Sequence, residues 1–187
     1  AASMAAFTFS KSKIKGRTAL FLVVQFALLY NSYTLGIPQY ILMSNMRIID
    51  TYLVYILPYI PSAMGAFLMK QYIDSSIPDA LLEAARIDGA SVFRMYWSIV
   101  MPIVRPAWMT LLLFSFKDMW SIMPNGTIFS EELKTLPYVM SQINSGGLAR
   151  AGSAMATTVI MMIPPIIVYI ISQRNVMETM SSAGIKD

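Results

Sequence analysis

The chain of 187 residues contains neither cysteine nor histidine. Disulfides and the usual zinc-ligand sets are therefore excluded, and nucleophilic chemistry of the Cys–His or Ser–His kind has no residues to use. Charge is scarce too: Asp, Glu, Lys and Arg make up 13% of the sequence, against about 25% in an ordinary soluble domain. An enzyme embedded in a membrane would need paired carboxylates at membrane depth, yet Asp118 is the only acidic residue near the interior of an apolar run. No low-complexity tract and no internal repeat is visible. Apolar surface, by contrast, is abundant: 56% of residues are hydrophobic and the mean hydropathy is +0.57. That balance points to lipid as the solvent. The 16 methionines suit adaptable packing and identify no function.

A net charge of +4 does not point to nucleic acid, because the basic residues do not cluster on one face. They punctuate apolar runs, as topology signals do. Residues 1–9 are apolar and small and lead directly into KSKIKGR. A signal peptide has the opposite order, so this stretch reads as the tail end of a membrane helix whose beginning is missing. Four further apolar segments follow: Thr18 to about Ile37, residues 51–70, a shorter one from Pro106, and residues 154–173. A spanning helix needs about 20 such residues. The segment from Pro106 is interrupted by Lys117 and Asp118 and can extend back to Ile103 and Val104.

Placing the loop after residue 9 in the cytoplasm puts ten basic residues inside: Lys11, Lys13, Lys15, Arg17, Lys70, Arg86, Arg94, Arg105, Arg174 and Lys186. Arg47, Lys134 and Arg150 fall outside, and Lys117 lies within or near the membrane. The inverted chain would violate the positive-inside rule, so the orientation is fixed by charge. The C-terminal segment from Arg174 to Asp187 is then cytoplasmic.

The longest inside loop, residues 71–105, is also the most patterned. Ser76 followed by Asp79 predicts a helix start, with Pro78 tolerated in the first turn. Ala80 to Arg86 are mostly strong helix formers. Gly89 supplies a left-handed residue to end the helix, Ser91 caps a second one, and Pro102 restricts how that one continues. Leu81, Ala84, Ala85 and Asp88 share a face by their spacing. Glu83 and Arg86 offer charge at its rim, and Tyr96 and Trp97 suit a membrane interface. Two readings fit: a docking element for a partner protein, or an amphipathic hairpin that merely joins two spans.

The segment resembles the EAA loop of ABC importer permeases. That pattern runs Glu-Ala-Ala, three residues, Gly, nine residues, Ile, one residue, Leu-Pro. Here Glu83-Ala84-Ala85, Gly89, Ile99 and Pro102 stand in register, with Met101 in place of the Leu. The opening residues, TLPYVMSQ, ARAG and PPIIVYIISQR look like carbohydrate-importer permeases as well, so the resemblance runs over nearly the whole chain. That subfamily often has a Trp-Asn-Asp stretch in its fifth span where this chain has Lys117-Asp118-Met119-Trp120, and its tail, often Gly-rich, here reads NVMETMSSAGIKD.

The resemblance implies an all-α polytopic bundle of the type I ABC importer permease fold, with about four full spans plus the end of a preceding one, N-terminally truncated. The chain would be a single permease domain over residues 1–187, with a cytoplasmic coupling loop at about 71–105. Glu83, Ala84, Ala85, Arg86, Asp88, Gly89, Ile99 and Pro102 would dock a cytoplasmic ABC ATPase dimer. No catalytic residue, metal or cofactor is expected on the chain itself, since ATP and Mg would be held by the ATPase. A second permease subunit, related but different, would complete the pathway. An extracytoplasmic solute-binding protein would deliver the solute. The protein would lie in the bacterial inner membrane and take up carbohydrate. Peptides or another small solute, or a non-transporting scaffold, are the alternatives.

Two further sets of residues concern the pathway. Lys117 lies twelve residues beyond Arg105, on the order of 18 Å along a helix and past the middle of a core about 30 Å thick. Lys117 and Asp118 either line a wet solute path, with Trp120 as a stacking surface for a sugar ring, or mark a helix end from which Lys117 snorkels. Pro58, Pro61, Pro164 and Pro165 lie inside spans, where they favour kinks that help subunits part, or simply static bends that aid packing.

Overall fold

The computed structural model describes residues 1–12, 14–30, 35–124, 126–145 and 151–184, with side chains of the last helix described through Gln173. Among the described residues the fold is helical and contains no strand. The chain forms two compact units. The first comprises Ala1–Asn31, Ile60–Leu112 and Arg174–Asp187, and the second Ser32–Tyr59 and Leu113–Gln173.

In the first unit, α1 (Ala2–Lys11) lies along α5 (Ala63–Ser76). Small residues let the two backbones approach. A Cβ on Gly65 would stand 3.2 Å from the Ala2 Cβ and 2.8 Å from Ser62 Oγ; Ser62 accepts the Gly65 amide and caps α5. Ala6 and Ala66 are buried at the same seam. In lipid, where water exclusion between helices gives nothing, such close van der Waals packing is the main source of association. Beyond the seam, Met69, Ile73, Val100 and Val104 are fully buried. The side of α5 also holds α2 (Arg17–Ala27): Phe21 stacks on Phe67 at 6.0 Å, and the Lys70 ammonium lies 4.7 Å over the Phe21 ring.

The apolar segments expected to span are realised in different ways. Leu53–Ser76, 24 residues, and Ala151–Gln173, 23 residues, are long and apolar enough to cross a membrane, and Val92–Ile103 with Arg105–Trp120 is a third if that bent pair counts as one span. The segment from Thr18 holds α2, which ends at Ala27, and α3 (Gly36–Asn45); residues 31–34 between them lie outside the described residues. Pro58 and Pro61 divide α4 (Leu53–Ile56) and its following 3₁₀ turn (Leu57–Tyr59) from α5. After α10 (Leu136–Asn144), Pro164 and Pro165 instead stand inside α11 (Ala151–Gly184), which continues through them. The helix also passes beyond Arg174, so the C-terminal segment read as a tail is helical through Gly184.

The second unit contains a small core of Met43, Ile48, Val54 and Ile128. Beside it is a polar clamp. Asp50, at φ 59°, adopts the left-handed conformation that Asp tolerates better than most residues. Its carboxylate accepts from the amides of Phe129 and Ser130, both at 2.9 Å, and from Ser130 Oγ at 2.5 Å, while its own amide donates to the Thr127 carbonyl at 2.9 Å. The turn after α3 is thereby tied to residues 127–130.

The Ser130 hydroxyl and the two amides hold the Asp50 carboxyl below its ordinary value of 3.8. A depressed folded-state pKa contributes stability that is fully present above the unfolded value and is lost as pH falls through the folded one. The amides of Phe129 and Ser130 are therefore expected to keep their exchange protection at pH 5 and to lose it only below pH 3.8. Hydrogen exchange followed by mass spectrometry, with Asp50→Ala as the unclamped reference, checks this.

Candidate functional site

The patterned loop folds as two short helices joined by a tight turn. Helix α6 (Asp79–Ile87) begins with Pro78 at its N-cap. Ser76 does not start it, as the sequence reading expected, because Ser76 is the last residue of α5 and Ile77, extended and buried, separates the helices. α6 ends in a Schellman turn. The Ala90 amide donates to the Ala85 carbonyl at 2.9 Å and the Gly89 amide to the Arg86 carbonyl at 3.1 Å. Gly89 has φ 77° with no atom near its missing Cβ, so backbone conformation alone requires glycine there. Ser91 then caps α7 (Val92–Met95) by accepting the Arg94 amide at 3.3 Å.

The placement of the named residues is uneven. Glu83, Ala84, Arg86, Asp88, Gly89 and Pro102 are exposed. Ala85 and Ile99 are half-buried against the core of the first unit, with Leu82 and Met95 buried beneath them. Ala85 is thus part of the anchor side, and the open face carries Leu81, Ala84 and Asp88. Three apolar residues on the open side were not singled out from the sequence: Ile87, 88% exposed, with Val92 and Phe93 at 60% and 66%. An isoleucine immediately before an Asp-Gly turn, one turn after Ala84, is the signal that would have found the first. Tyr96, read from the sequence as suited to a membrane interface, is buried against protein: it packs on Phe7 at 5.6 Å and shares a 2.7 Å hydrogen bond with Ser3 of α1. Trp97 is exposed.

Two contacts join this element to the rest of the first unit. Lys11, at the end of α1, donates to the Ile77 carbonyl and to Asp79 Oδ1, each at 2.7 Å. It bridges the negative end of one helix to an acidic residue in the first turn of another, favourable to both helix dipoles. The Lys11 hydrogen bond and charge hold the Asp79 carboxyl below its ordinary value. Nothing in the local sequence predicts this pairing, because the residues are 68 positions apart. The second contact is at an elbow. After α7 a π-helical turn (Tyr96–Val100) leads into α8 (Met101–Ile103), and the chain then bends by 81° into α9 (Arg105–Trp120). Pro102 and Pro106 flank the bend and donate no N–H. The indole N–H of Trp108 reaches back to the Met101 carbonyl at 3.2 Å and braces it.

Of the three residues assigned to a solute path, all near the end of α9, Trp120 alone borders the cavity described next. Lys117 and Asp118 are exposed on α9. Trp120 stacks on Phe116 at 5.8 Å and borders a cavity of about 440 Å³ lined chiefly by Met123, Pro137, Met140, Met162 and Pro165. This lining offers a sugar few hydrogen-bond partners.

Comparison with known proteins matches residues 1–181 to the family described as "Binding-protein-dependent transport system inner membrane component". Similar curated proteins include the arabinooligosaccharides transport system permease protein AraQ of Bacillus subtilis (strain 168), 26% identical over 186 residues, covering 98% of this chain and 66% of the relative. The sn-glycerol-3-phosphate transport system permease protein UgpE of Yersinia pestis is 32% identical over 141 residues, 73% of this chain and 50% of the relative. The lactose transport system permease protein LacG of Rhizobium radiobacter is 26% identical over 180 residues, 95% of this chain and 66% of the relative. The chain thus spans about half to two thirds of the length of these three relatives.

Two substitutions test the geometry. Gly89→Ala should destabilise the turn by roughly 1–2 kcal/mol, the cost of a left-handed L-residue, and Gly89→Asn by less; hydrogen exchange at Ala90 reads both. Trp108→Phe keeps an aromatic ring and deletes the donor. It should cost about 1 kcal/mol and raise exchange selectively over residues 101–108.

Proposed function

This chain belongs to the family of binding-protein-dependent transport system inner membrane components, and from that premise we propose that it is a permease subunit of an ATP-driven carbohydrate importer. It forms half of the solute pathway and receives a cytoplasmic ATPase dimer on α6 and the Gly89 turn. Residues 1–187 act as one permease domain, with residues 71–105 as its coupling loop. A related second permease subunit completes the pathway, and an extracytoplasmic solute-binding protein delivers the solute. ATP and Mg are bound and ATP is hydrolysed on the partner.

The observation that carries the docking assignment is the two-sidedness of the element. Leu82, Met95 and Val100 are buried in the first unit, while Leu81, Ile87, Val92 and Phe93 are exposed around a charged turn. An apolar group ringed by Glu83, Arg86 and Asp88 has the composition of a protein interface with a polar rim. The Schellman turn, the Lys11 tie and the Trp108 brace make the element stiff, so force applied at α6 reaches α9 without being absorbed. The excess of Lys and Arg on this side of the spans supports a cytoplasmic position for the loop and for the C-terminus. The printed names of the relatives, with arabinooligosaccharides and lactose among them, support carbohydrate as the solute class.

With no native cysteine, Ile87→Cys gives one reactive thiol on the open face. In membranes carrying the assembled importer it should crosslink to the ATPase, whereas Val159→Cys on α11, also exposed, should not. Failure of Ile87→Cys to capture any co-expressed ATPase would sink the docking assignment. Gly89→Pro, which cannot adopt a positive φ, should leave the chain in the membrane and ATP hydrolysis running while uptake per ATP falls. Unchanged uptake would contradict the lever role.

A further inference from the structure

Three cavities of several hundred Å³ differ in chemistry. One, about 560 Å³ beside α1, α6 and α7, is bordered by five charged residues: Lys11, Arg17, Asp79, Glu83 and Arg86. The Trp120 cavity is almost wholly apolar. The third, about 720 Å³ and within the second unit, is lined from α3 by Gln39 and Tyr40, from α4 and its 3₁₀ turn by Tyr55 and Tyr59, and from the loop after α9 by residues that include Thr127. Among the described residues no charged side chain lines it.

We propose that this third cavity is a saccharide-contact site on the outer part of the solute pathway, taking a neutral mono- or disaccharide. This rests on the carbohydrate-importer reading above and names a site for it different from Lys117, Asp118 and Trp120. Three tyrosines supply flat apolar faces against which the C–H faces of a sugar ring pack, and each carries a polar handle. Gln39 and Thr127 bring neutral groups that both donate and accept, as sugar hydroxyls require. The charges nearest its tyrosines are the carboxylates of Asp50 and Asp118, so an anionic solute would find no counter-charge and would pay its desolvation uncompensated. The volume lies within the roughly 300–1,000 Å³ typical of small-ligand sites.

The walls are pinned in place. The Asp50 amide holds the Thr127 carbonyl at 2.9 Å. The Tyr55 hydroxyl donates to the Leu133 carbonyl at 2.8 Å, which fixes that ring. Thr135 Oγ1 donates to the Ile122 carbonyl at 2.7 Å and holds the start of the loop. A site fixed before the ligand arrives spends less of its contact energy on ordering. The charge pattern that puts residue 47 and residue 134 outside puts this cavity on the side from which solute comes.

The test uses the assembled importer with its binding protein. Ile37→Cys places a single thiol of this chain at the cavity wall, where Ile37 is 76% exposed. Lactose or arabinobiose at high millimolar concentration should slow its labelling by a membrane-impermeant maleimide at least about 2-fold, and sn-glycerol 3-phosphate should not. Tyr40→Ala or Tyr59→Ala should abolish that protection and reduce uptake roughly 2- to 10-fold, the worth of one aromatic contact. Tyr40→Phe should retain both. If an alanine variant fails to reach the membrane, protection of the Ile37→Cys thiol alone decides. An assembly that takes up a saccharide which neither protects the thiol nor depends on the tyrosines overturns this site and leaves the importer reading standing. Equal protection by glycerol phosphate overturns the neutral-ligand assignment. Wild-type assembly that takes up no saccharide overturns both.

Discussion

The packing of α1 along α5 is the constraint on which the first unit depends. Ala2, Ala6, Gly65 and Ala66 bring the two backbones close, and the larger Met69 and Ile73 then fill the space toward Val100 and Val104. A side chain on Gly65 would strike Ser62 Oγ and crowd Ala2. Because α1 ends at Lys11, its position relative to α5 also decides where Lys11 meets Ile77 and Asp79. The start of α6 is thus set by a seam at the other end of α1. The α6–α7 element inherits its orientation from helix packing rather than from its own sequence.

The elbow follows the same logic. A 12-residue apolar helix and a 16-residue one meet at 81°, which no propensity scale would foresee. Two prolines permit the bend, but they do not fix its angle. Val100 and Val104, fully buried on its inner side, and Trp108, donating across it, do so.

The second unit uses polar ties where the first uses apolar packing. Asp50, Tyr55 and Thr135 each hold a carbonyl or amide of a segment about 13 to 80 positions away. Loops that carry few apolar residues cannot be ordered by burial, so hydrogen bonds take over that task. Those ties hold segments that line the cavity bordered by Gln39, Tyr40, Tyr55 and Tyr59. Each of its residues reads in isolation as an ordinary interfacial tyrosine or amide.

Much was legible beforehand. Apolar runs without charge announced a membrane helical protein. Gly89 and Ser91 announced the two-helix loop, because a Schellman turn needs a residue free to take positive φ and Ser91 is a natural cap, while the spacing of Glu83-Ala84-Ala85, Gly89, Ile99 and Pro102 carried the resemblance to a family. These are local signals, carried by a few neighbouring residues. What the sequence could not determine were relations between distant segments: that Ala85 faces inward while Ile87 and Phe93 face out, that Tyr96 is buried on Ser3, that Lys11 holds Asp79, and that Trp120 borders a methionine-lined space apart from Lys117 and Asp118. Composition and short-range spacing decide solvent, helices and turns, since those depend on chain chemistry within a few residues. Which face is open and which residues share a cavity depends on how helices pack, and only the tertiary structure decides that.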